Sequence, residues 1–241
     1  MTGEHPILEA DGLGKSFGRQ VVLKSAAFSV HRGRVTALMG RNGAGKTTML
    51  RIVVGRVRPE WGRIVYNGRF IERPILWKLA QEGLMYVAQG SALTGLFTVR
   101  HHLESVGQIY DGRGRVEEAI EQLRLGEVLG RRPPDISGGE KQRVSLALAM
   151  IRDPECLLMD EPFAGVAPLD RSLIREGLRA LRGRGAAILV TGHDVDDLFA
   201  VSDEIIWVTA GTTHWIGGPQ EARAHHQFRR EYLGPRRMQG G

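Results

Sequence analysis

Residues 40–47 read Gly-Arg-Asn-Gly-Ala-Gly-Lys-Thr, a glycine-rich run that ends in a lysine and a hydroxyl residue. This spacing fits the pattern G-x-x-x-x-G-K-[ST], in which glycines let backbone N–H groups approach a chain of phosphates closely. Lys46 would reach the β- and γ-phosphates, and the hydroxyl of Thr47 would bind Mg²⁺. Residues with helical spacing follow, so the positive end of a helix would point at the phosphates. The run predicts a site for a nucleoside triphosphate.

Two carboxylates directly follow the apolar run 157–159. Because ligands of open α/β sheets bind at the carboxyl ends of strands, Asp160 and Glu161 are predicted to face the phosphates. Asp160 suits Mg²⁺, held through a water molecule, since hard cations prefer oxygen ligands. Glu161 suits a general base or a group that orients attacking water. An acidic pair after a strand also commonly marks an ordinary helix N-terminus, and the phosphate loop upstream is what favours catalysis.

A second glycine-rich helix start lies at 137–143, Ser-Gly-Gly-Glu-Lys-Gln-Arg. Ser137 and Glu140 have the spacing of a capping box, so the segment predicts at least a capped helix. Two phosphate-binding helix termini in one chain would serve one nucleotide most simply from opposite sides. That arrangement indicates two chains that face each other.

These residues are positioned by an alternation of short β-rich runs and helical stretches. We predict strands at 35–38, 64–66, 84–87, 156–159, 187–190 and 205–208, with the last one closing the set, and a hairpin turn at Asn67-Gly68. Helices are predicted over 47–54, over about 98–132 with a break at 111–115, and from 137 to 151. The pattern favours a parallel-sheet core, a helical insertion near 91–152 and a small antiparallel sheet near the N-terminus.

Composition limits the class of protein. With 42% hydrophobic and 25% charged residues among 241, the chain is globular and not disordered. Its single cysteine, Cys156, cannot form an internal disulfide, which favours a reducing compartment. We find no apolar run of the ~20 residues that a spanning helix needs and no signal peptide, and we expect a soluble, cytoplasmic protein. The net charge of +6 fits nucleic acid, a lipid surface, phosphorylated ligands or simply a solvated surface.

The whole set of motifs resembles the ATP-binding cassette (ABC) family of ATPases. In that family's terms the Walker A loop is 40–47, the Q-loop glutamine is Gln89, the signature is 136–143, Walker B is 157–161 and the switch histidine is His193. Their order and spacing span nearly the whole chain. Segments 160–166 and 228–234 resemble, more narrowly, the ATPases of lipopolysaccharide exporters and branched-chain amino acid importers.

The resemblance implies an α/β fold, with a P-loop NTPase core built on a mostly parallel sheet, an N-terminal antiparallel β-subdomain and an inserted helical subdomain. It implies one ABC ATPase domain over 5–235, with the helical subdomain at about 91–152 and a short C-terminal tail at 236–241.

The resemblance also implies a head-to-tail dimer with two ATP molecules at its interface, each between the Walker A loop of one chain and the signature of the other. The implied catalytic residues are Glu161, His193, Gln89 and Lys46, and the implied Mg²⁺ residues are Thr47, Gln89 and Asp160, the last through water. His193 would contact the γ-phosphate, and Gln89 would contact Mg²⁺ or the attacking water. The implied nucleotide-binding residues are Phe17, Gly40, Asn42, Gly43, Ala44, Gly45, Lys46, Thr47, Thr48, Ser137, Gly138, Gly139 and Asp160.

Phe17 occupies the position of the aromatic residue that stacks on adenine in the family, and we favour stacking over the alternative of an aromatic side chain in a core or at a sheet edge. The expected partners are transmembrane permease subunits on separate chains, which would hold this chain at the inner face of the cell membrane, and a second ABC ATPase in a homodimer or heterodimer. The alternative is a soluble ABC-type ATPase that acts on nucleic acid or ribosomes. The net charge favours that alternative weakly, while a single cassette without a coiled-coil insertion disfavours it.

One position departs from the family. Six residues after the Walker B glutamate the family usually has aspartate, and this chain has Ala167. Asp170 comes three residues later and is not a clear substitute, so the departure bears on the coupling between the two ATP sites that the resemblance implies. We therefore expect a working ATPase that is slow or weakly cooperative.

The pairs His101-His102 and His225-His226 do not favour one shared metal, because adjacent residues point apart on a helix. The arginines near the C-terminus could meet anionic lipid, a partner or solvent: Arg223, Arg229, Arg230, Arg236 and Arg237.

Overall fold

A computed structural model describes residues 5–90 and 93–234. Its strands are β1 (Leu8–Phe17), β2 (Gln20–Val30), β3 (Val35–Met39), β4 (Trp61–Tyr66), β5 (Arg69–Phe70), β6 (Leu84–Val87), β7 (Cys156–Met159), β8 (Ala187–Gly192), β9 (Glu204–Thr209) and β10 (Thr212–Gly217). Its helices are α1 (Lys46–Val53), α2 (Leu76–Gln81), α3 (Val99–Ile109), α4 (Val116–Gln122), α5 (Gly138–Arg152), α6 (Pro168–Gly183), α7 (Val195–Val201), α8 (Pro219–Ala224) and α9 (His226–Phe228), with a π-helical turn over Arg229–Leu233.

The strands form a mixed sheet in the order β5-β4-β1-β2-β10-β9-β3-β8-β7-β6. The run from β9 to β6 is parallel, whereas β1, β2, β4 and β5 pair antiparallel. A single parallel pair, Thr212 with Ser25, joins the two parts through β10. The mostly parallel core and the N-terminal antiparallel sheet are confirmed.

The central strands are apolar on both faces, as expected for a parallel sheet covered on both sides. In β3, Ala37 and Met39 belong to one core while Leu38 belongs to the other. The first core includes residues of α3 to α7, and the second includes residues of β1, β2 and α1. The sheet therefore lies between two packed layers.

Most predicted elements lie where the sequence places them. The strand β6 has the predicted bounds, the hairpin turn at Asn67-Gly68 joins β4 to β5, and α5 carries its capping box. The break at 111–115 separates α3 from α4. The described part of the predicted insertion, 93–152, contains α3, α4 and α5, whereas 91–92 and the predicted tail at 236–241 lie outside the described residues.

Two expectations about the elements are wrong. The strand at 205–208 does not close the set, because β9 turns back through Ala210 and Gly211 into β10. Both turn residues have positive φ, which suits a tight hairpin. The second helix of the 98–132 stretch ends at Gln122 instead of continuing, since Arg124 adopts the left-handed conformation at φ 49°. Only the 3₁₀ turn Gly126–Val128 follows it before Pro133.

Candidate active site

The carboxyl ends of four parallel strands lie side by side along one edge of the sheet. The register pairs Val87 with Met159, Met159 with Val190 and Met39 with Gly192. The segments that follow β3, β6, β7 and β8 therefore emerge side by side, although they are far apart in sequence. They are the phosphate loop, Gln89, the pair Asp160-Glu161 and His193.

The phosphate loop needs glycine at two of its positions for steric reasons. A Cβ on Gly40 would lie 2.4 Å from the carbonyl oxygen of Val208, so the loop packs directly on the backbone of β9. Gly45 has φ 103°, a conformation that L side chains rarely adopt, and it is the N-cap of α1. Together they turn the chain so that the backbone amides at the start of α1 face the cleft.

Lys46 is buried and lies across the loop. Its Nζ donates to the carbonyl oxygens of Gly40 at 2.8 Å and Arg41 at 3.3 Å. The same ammonium group lies 3.3 Å from Oε1 of Glu161. Lys46 thus brings a desolvated positive charge to the place where the terminal phosphates of a nucleotide would bind.

Asp160 is buried beside Thr47 and has the features of a Mg²⁺ site. Its Oδ1 accepts hydrogen bonds from the hydroxyls of Thr47 at 3.1 Å and Thr191 at 2.6 Å. Its Oδ2 is buried and has no hydrogen-bond partner among the described residues. A buried, unpartnered carboxylate oxygen beside a hydroxyl fits a hard cation or its water. The residues present therefore fit Mg²⁺.

Glu161 is fixed from three sides. Its backbone N–H donates to Oγ1 of Thr191 at 3.0 Å, and Oε2 lies 2.9 Å from Nδ1 of His193. Oε1 faces Lys46, as described above. The imidazole Nδ1 carries the hydrogen of this contact, because an ionised carboxylate only accepts. Glu161 and His193 form a pair that can orient one water molecule.

These side chains surround an open cleft of about 420 Å³. Phe17 lies at its rim with 49% of its surface exposed, so it is not a core residue, and Nζ of Lys15 lies 5.4 Å from its ring centroid. An exposed ring at this place is available for stacking on a base. The predicted residues that line the cleft are Phe17, Asn42, Gly43, Ala44, Gly45, Lys46, Thr47, Thr48, Gln89, Glu161 and His193.

The signature residues lie elsewhere. Ser137 is the N-cap of α5, and the helix begins with Gly138 and Gly139. None of the three lines this cleft. Ser137 accepts the N–H of Glu140, and the carboxylate of Glu140 accepts the N–H of Ser137, which holds the turn in shape. This bond to the backbone lowers the pKa of Glu140.

The structure also reveals site residues that the sequence reasoning missed. The hydroxyl of Thr191 donates to Asp160 and accepts the backbone N–H of Glu161. The sequence shows only a threonine directly after the apolar run 187–190, which does not by itself indicate these contacts. Arg171 donates from Nε to the carbonyl of Val166 and pairs with Asp194 and Asp197, so it links the segment after Glu161 to the segment after His193. No sequence pattern singles Arg171 out.

The C-terminal segment packs beside the phosphate loop. Phe228 is fully buried and its ring contacts those of Trp207 and Tyr232 at centroid distances of 5.7 and 5.1 Å. Arg41, in the phosphate loop, donates to the carbonyl of Glu231 at 2.9 Å. Arg223 lies over the ring of Phe199, whereas Arg236 and Arg237 lie outside the described residues.

The histidine pairs have local partners. Nδ1 of His102 lies 2.8 Å from the carbonyl of Thr98, and the ring of His101 stacks on Phe97. Nδ1 of His225 accepts the N–H of Phe228. In the part of the chain that the structure describes, no group of three or more His, Cys, Asp or Glu side chains could hold a metal ion.

Comparison with known proteins agrees with this geometry. The family model described as ABC transporter matches residues 23–164, more than half of the chain. The chain belongs to the ABC transporter ATPase family. It is accordingly an ATPase of the P-loop NTPase class, and its family binds nucleotide.

Individual ABC relatives match over most of the chain. The lipopolysaccharide export system ATP-binding protein LptB of Haemophilus influenzae is 34% identical over 95% of this chain and 97% of that protein. The Nod factor export ATP-binding protein I of Mesorhizobium japonicum is 36% identical over 89% of this chain and 64% of that protein. An ABC transporter cassette in its ADP conformation is 25% identical with a TM-score of 0.81, covering 96% of this chain and all of that one.

Proposed function

We propose that this chain is the ATP-hydrolysing subunit of a transporter, and that it dimerises around two ATP molecules to drive transmembrane subunits carried on other chains. The observation that carries the proposal is the convergence of Lys46, Glu161 and His193 over the phosphate loop, beside the unpartnered oxygen of Asp160. We further propose that residues 5–235 act as one domain with a helical subdomain at about 91–152.

Each side chain has a proposed task in hydrolysis. Lys46 would exchange its contact with Glu161 for the γ-phosphate and neutralise charge there. Glu161, released from the lysine, would orient the attacking water, with His193 holding both the carboxylate and the phosphate. Thr47, Asp160 through water, and Gln89 would hold Mg²⁺, which supplies positive charge at the phosphates. Phe17 would stack on the adenine.

Dimerisation would complete the site. Ser137 and Gly139 stand outside their own chain's cleft, so we propose that they contact the ATP bound by a second cassette. That cassette would be a second copy of this chain or another ABC ATPase. ATP then joins two surfaces rich in N–H donors, and cleavage of the γ-phosphate weakens the bridge between them.

A groove beside Gln89 is the proposed docking place for the transmembrane partner. It is lined by Gly90, Gly95, Pro133 and Pro134, among others. Leu96 and Phe97, close by in sequence, are exposed apolar side chains. No helix of the described residues is long and apolar enough to cross a bilayer. We propose that the partner holds the chain at the inner face of the cell membrane, a role supported by the transporter names of its relatives.

The test is the isosteric substitution Glu161→Gln. The variant should bind ATP like the wild type and should hydrolyse it at a rate reduced by about 100-fold or more. With ATP it should form a dimer of twice the monomer mass. Particle mass with ATP and Mg²⁺ and the rate of phosphate release are the measurements.

The matched control is Glu155→Gln, which makes the same change in an exposed ion pair with Arg32 and should leave the rate unchanged. Wild-type hydrolysis by Glu161→Gln would contradict the role of that residue. Co-purification with a membrane protein would support transport, whereas salt-sensitive binding to DNA or RNA without such a partner would contradict it.

A further inference from the structure

Asp170, in the first turn of α6, contacts the signature turn of its own chain, which we define as residues 137–140. Its Oδ1 lies 2.8 Å from Nε of Arg143, one helical turn further along α5. We infer that Asp170 is a positioning residue for hydrolysis, which holds the signature turn in register with the loop that begins at Glu161. The inference rests on the function proposed above and extends it to the coupling of the two ATP sites.

The ion pair is held in a nearly buried place. The side chains of Arg143 and Asp170 are 10% and 16% exposed. Arg143 also donates from Nη1 to the carbonyl oxygens of Leu123 at 2.6 Å and Arg124 at 2.7 Å, just after α4. Hydrogen bonds thus hold the guanidinium on one side, and the charge of Asp170 lies against its other side without hydrogen-bond geometry at Nε. Loss of Asp170 would leave a buried charge without its counter-ion.

The carboxylate also packs against the signature turn directly. A Cβ built on Gly139 would lie 2.2 Å from Oδ2 of Asp170, so any larger residue at 139 would force this carboxylate to move. Asp170 thus touches α5 at two places, through charge at Arg143 and through shape at Gly139. A shift of the first turn of α6 would therefore reach the signature turn through these two contacts.

A short segment of the chain leads from Glu161 to Asp170. Residues 161–167 connect Glu161 to α6, whose N-cap is Ala167, and Asp170 is the first acidic side chain after Glu161. In the proposed dimer, Glu161 acts on one ATP while the signature turn of the same chain meets the other. The first turn of α6 would then connect the two ATP sites, and Asp170 would make the contact with the signature turn.

The test compares Asp170→Asn with Asp196→Asn, the same substitution at an exposed aspartate in the first turn of α7. For Asp170→Asn we expect an unchanged ATP affinity, a kcat about tenfold lower, a lower Hill coefficient and faster amide hydrogen exchange confined to residues 137–143. The control should match the wild type in all four. A merely structural role would not change kcat and the Hill coefficient while ATP affinity stays constant.

A double variant keeps the inference testable if Asp170→Asn fails to fold. Arg143→Met with Asp170→Leu removes both charges and leaves none unpaired, a replacement that folded proteins often tolerate. A folded double variant with a kcat still reduced about tenfold supports the inference, and wild-type kcat and cooperativity overturn it. Exchange at 137–143 that is unchanged in Asp170→Asn also overturns it. A wild type that neither hydrolyses ATP nor dimerises with it would instead overturn the proposed function.

Discussion

Glu161 has an unusual backbone for a residue with a side chain. Its φ is +54°, a conformation that costs an L residue roughly 1–2 kcal/mol. Three neighbours hold it there: the hydroxyl of Thr191 accepts its N–H, while Lys46 and His193 contact its two carboxylate oxygens. The contacts with Thr191 and His193, which the proposed mechanism keeps, therefore position the carboxylate before any nucleotide binds, whereas the contact with Lys46 is the one that the γ-phosphate would replace.

The substitution Thr191→Val tests this support. Valine has the shape of threonine but leaves the N–H of Glu161 without its acceptor and Oδ1 of Asp160 without its 2.6 Å donor. We expect a stability loss of about 1–3 kcal/mol, because buried polar groups lose partners. ATPase activity should fall by about 10- to 100-fold, because Asp160 and Glu161 lose the group that orients them. Urea unfolding and steady-state kinetics measure the two effects.

The matched control is Thr36→Val, in the neighbouring strand β3. Thr36 is also buried, but its hydroxyl makes only a long contact of 3.5 Å to the carbonyl of Ser29 among the bonds described. This variant should keep its activity. Equal activity losses in both variants would contradict the role of the Thr191 hydroxyl in orienting Asp160 and Glu161.

At the scale of elements, the parallel sheet and α5 have different tasks. The sheet gathers four strand ends at one edge, and α5 presents a capped N-terminus to another chain in the proposed dimer. The capping box of Ser137 and Glu140 satisfies backbone donors that a helix start leaves free. It therefore keeps the signature turn ordered before a partner arrives.

The cap makes part of the stability depend on pH. The N–H of Ser137 lowers the pKa of Glu140 from its ordinary value of 4.5. The ionised carboxylate thus stabilises the native state at pH above that value, and the contribution is lost as the pH falls through the lower, folded-state pKa. Wild type should exceed Glu140→Gln in unfolding free energy by roughly 0.3–1 kcal/mol near neutral pH, and the difference should shrink in acid. Urea titrations across this pH range measure it.

The exposed residue Glu121, in α4, supplies the control. Glu121→Gln should show no comparable dependence on pH. A difference between wild type and Glu140→Gln that stays constant from neutral to acid pH would contradict the assigned role of the charge.

The whole molecule is organised by two cores, one on each face of the sheet. Cys156, the single cysteine of the chain, is fully buried in the core that also contains Leu158 and Leu189. Burial raises the pKa of its thiol to about 12. Since the thiolate is the reactive form, the native thiol should be inert.

Thiol labelling therefore reports on global unfolding. Cys156 should react with an alkylating reagent at a negligible rate in the native protein near neutral pH and rapidly in denaturant. The variant Ser25→Cys adds an exposed thiol as an internal control, so mass spectrometry should find one fast and one protected site in the same molecule. Fast modification of both thiols without denaturant would contradict the packed core around β7.

The sequence by itself determined the features that depend on consecutive residues. Local spacing predicts the phosphate loop, the capping box of α5, the hairpin turn at Asn67-Gly68 and the strands that end just before Asp160 and His193. Backbone conformation and contacts within a few residues favour these features. Their order along the chain was enough to indicate the family and the α/β core.

Tertiary structure alone decided the contacts between distant segments. Thr191 lies 31 residues from Asp160, and the pairing of Asp170 with Arg143 spans two helices, so no local pattern encodes either one. The return of the chain into β10 and the early end of α4 likewise depend on single residues with positive φ and on the neighbours that receive them. Long-range packing selects these features, because the energy of a buried polar contact depends on partners that only the folded chain brings together.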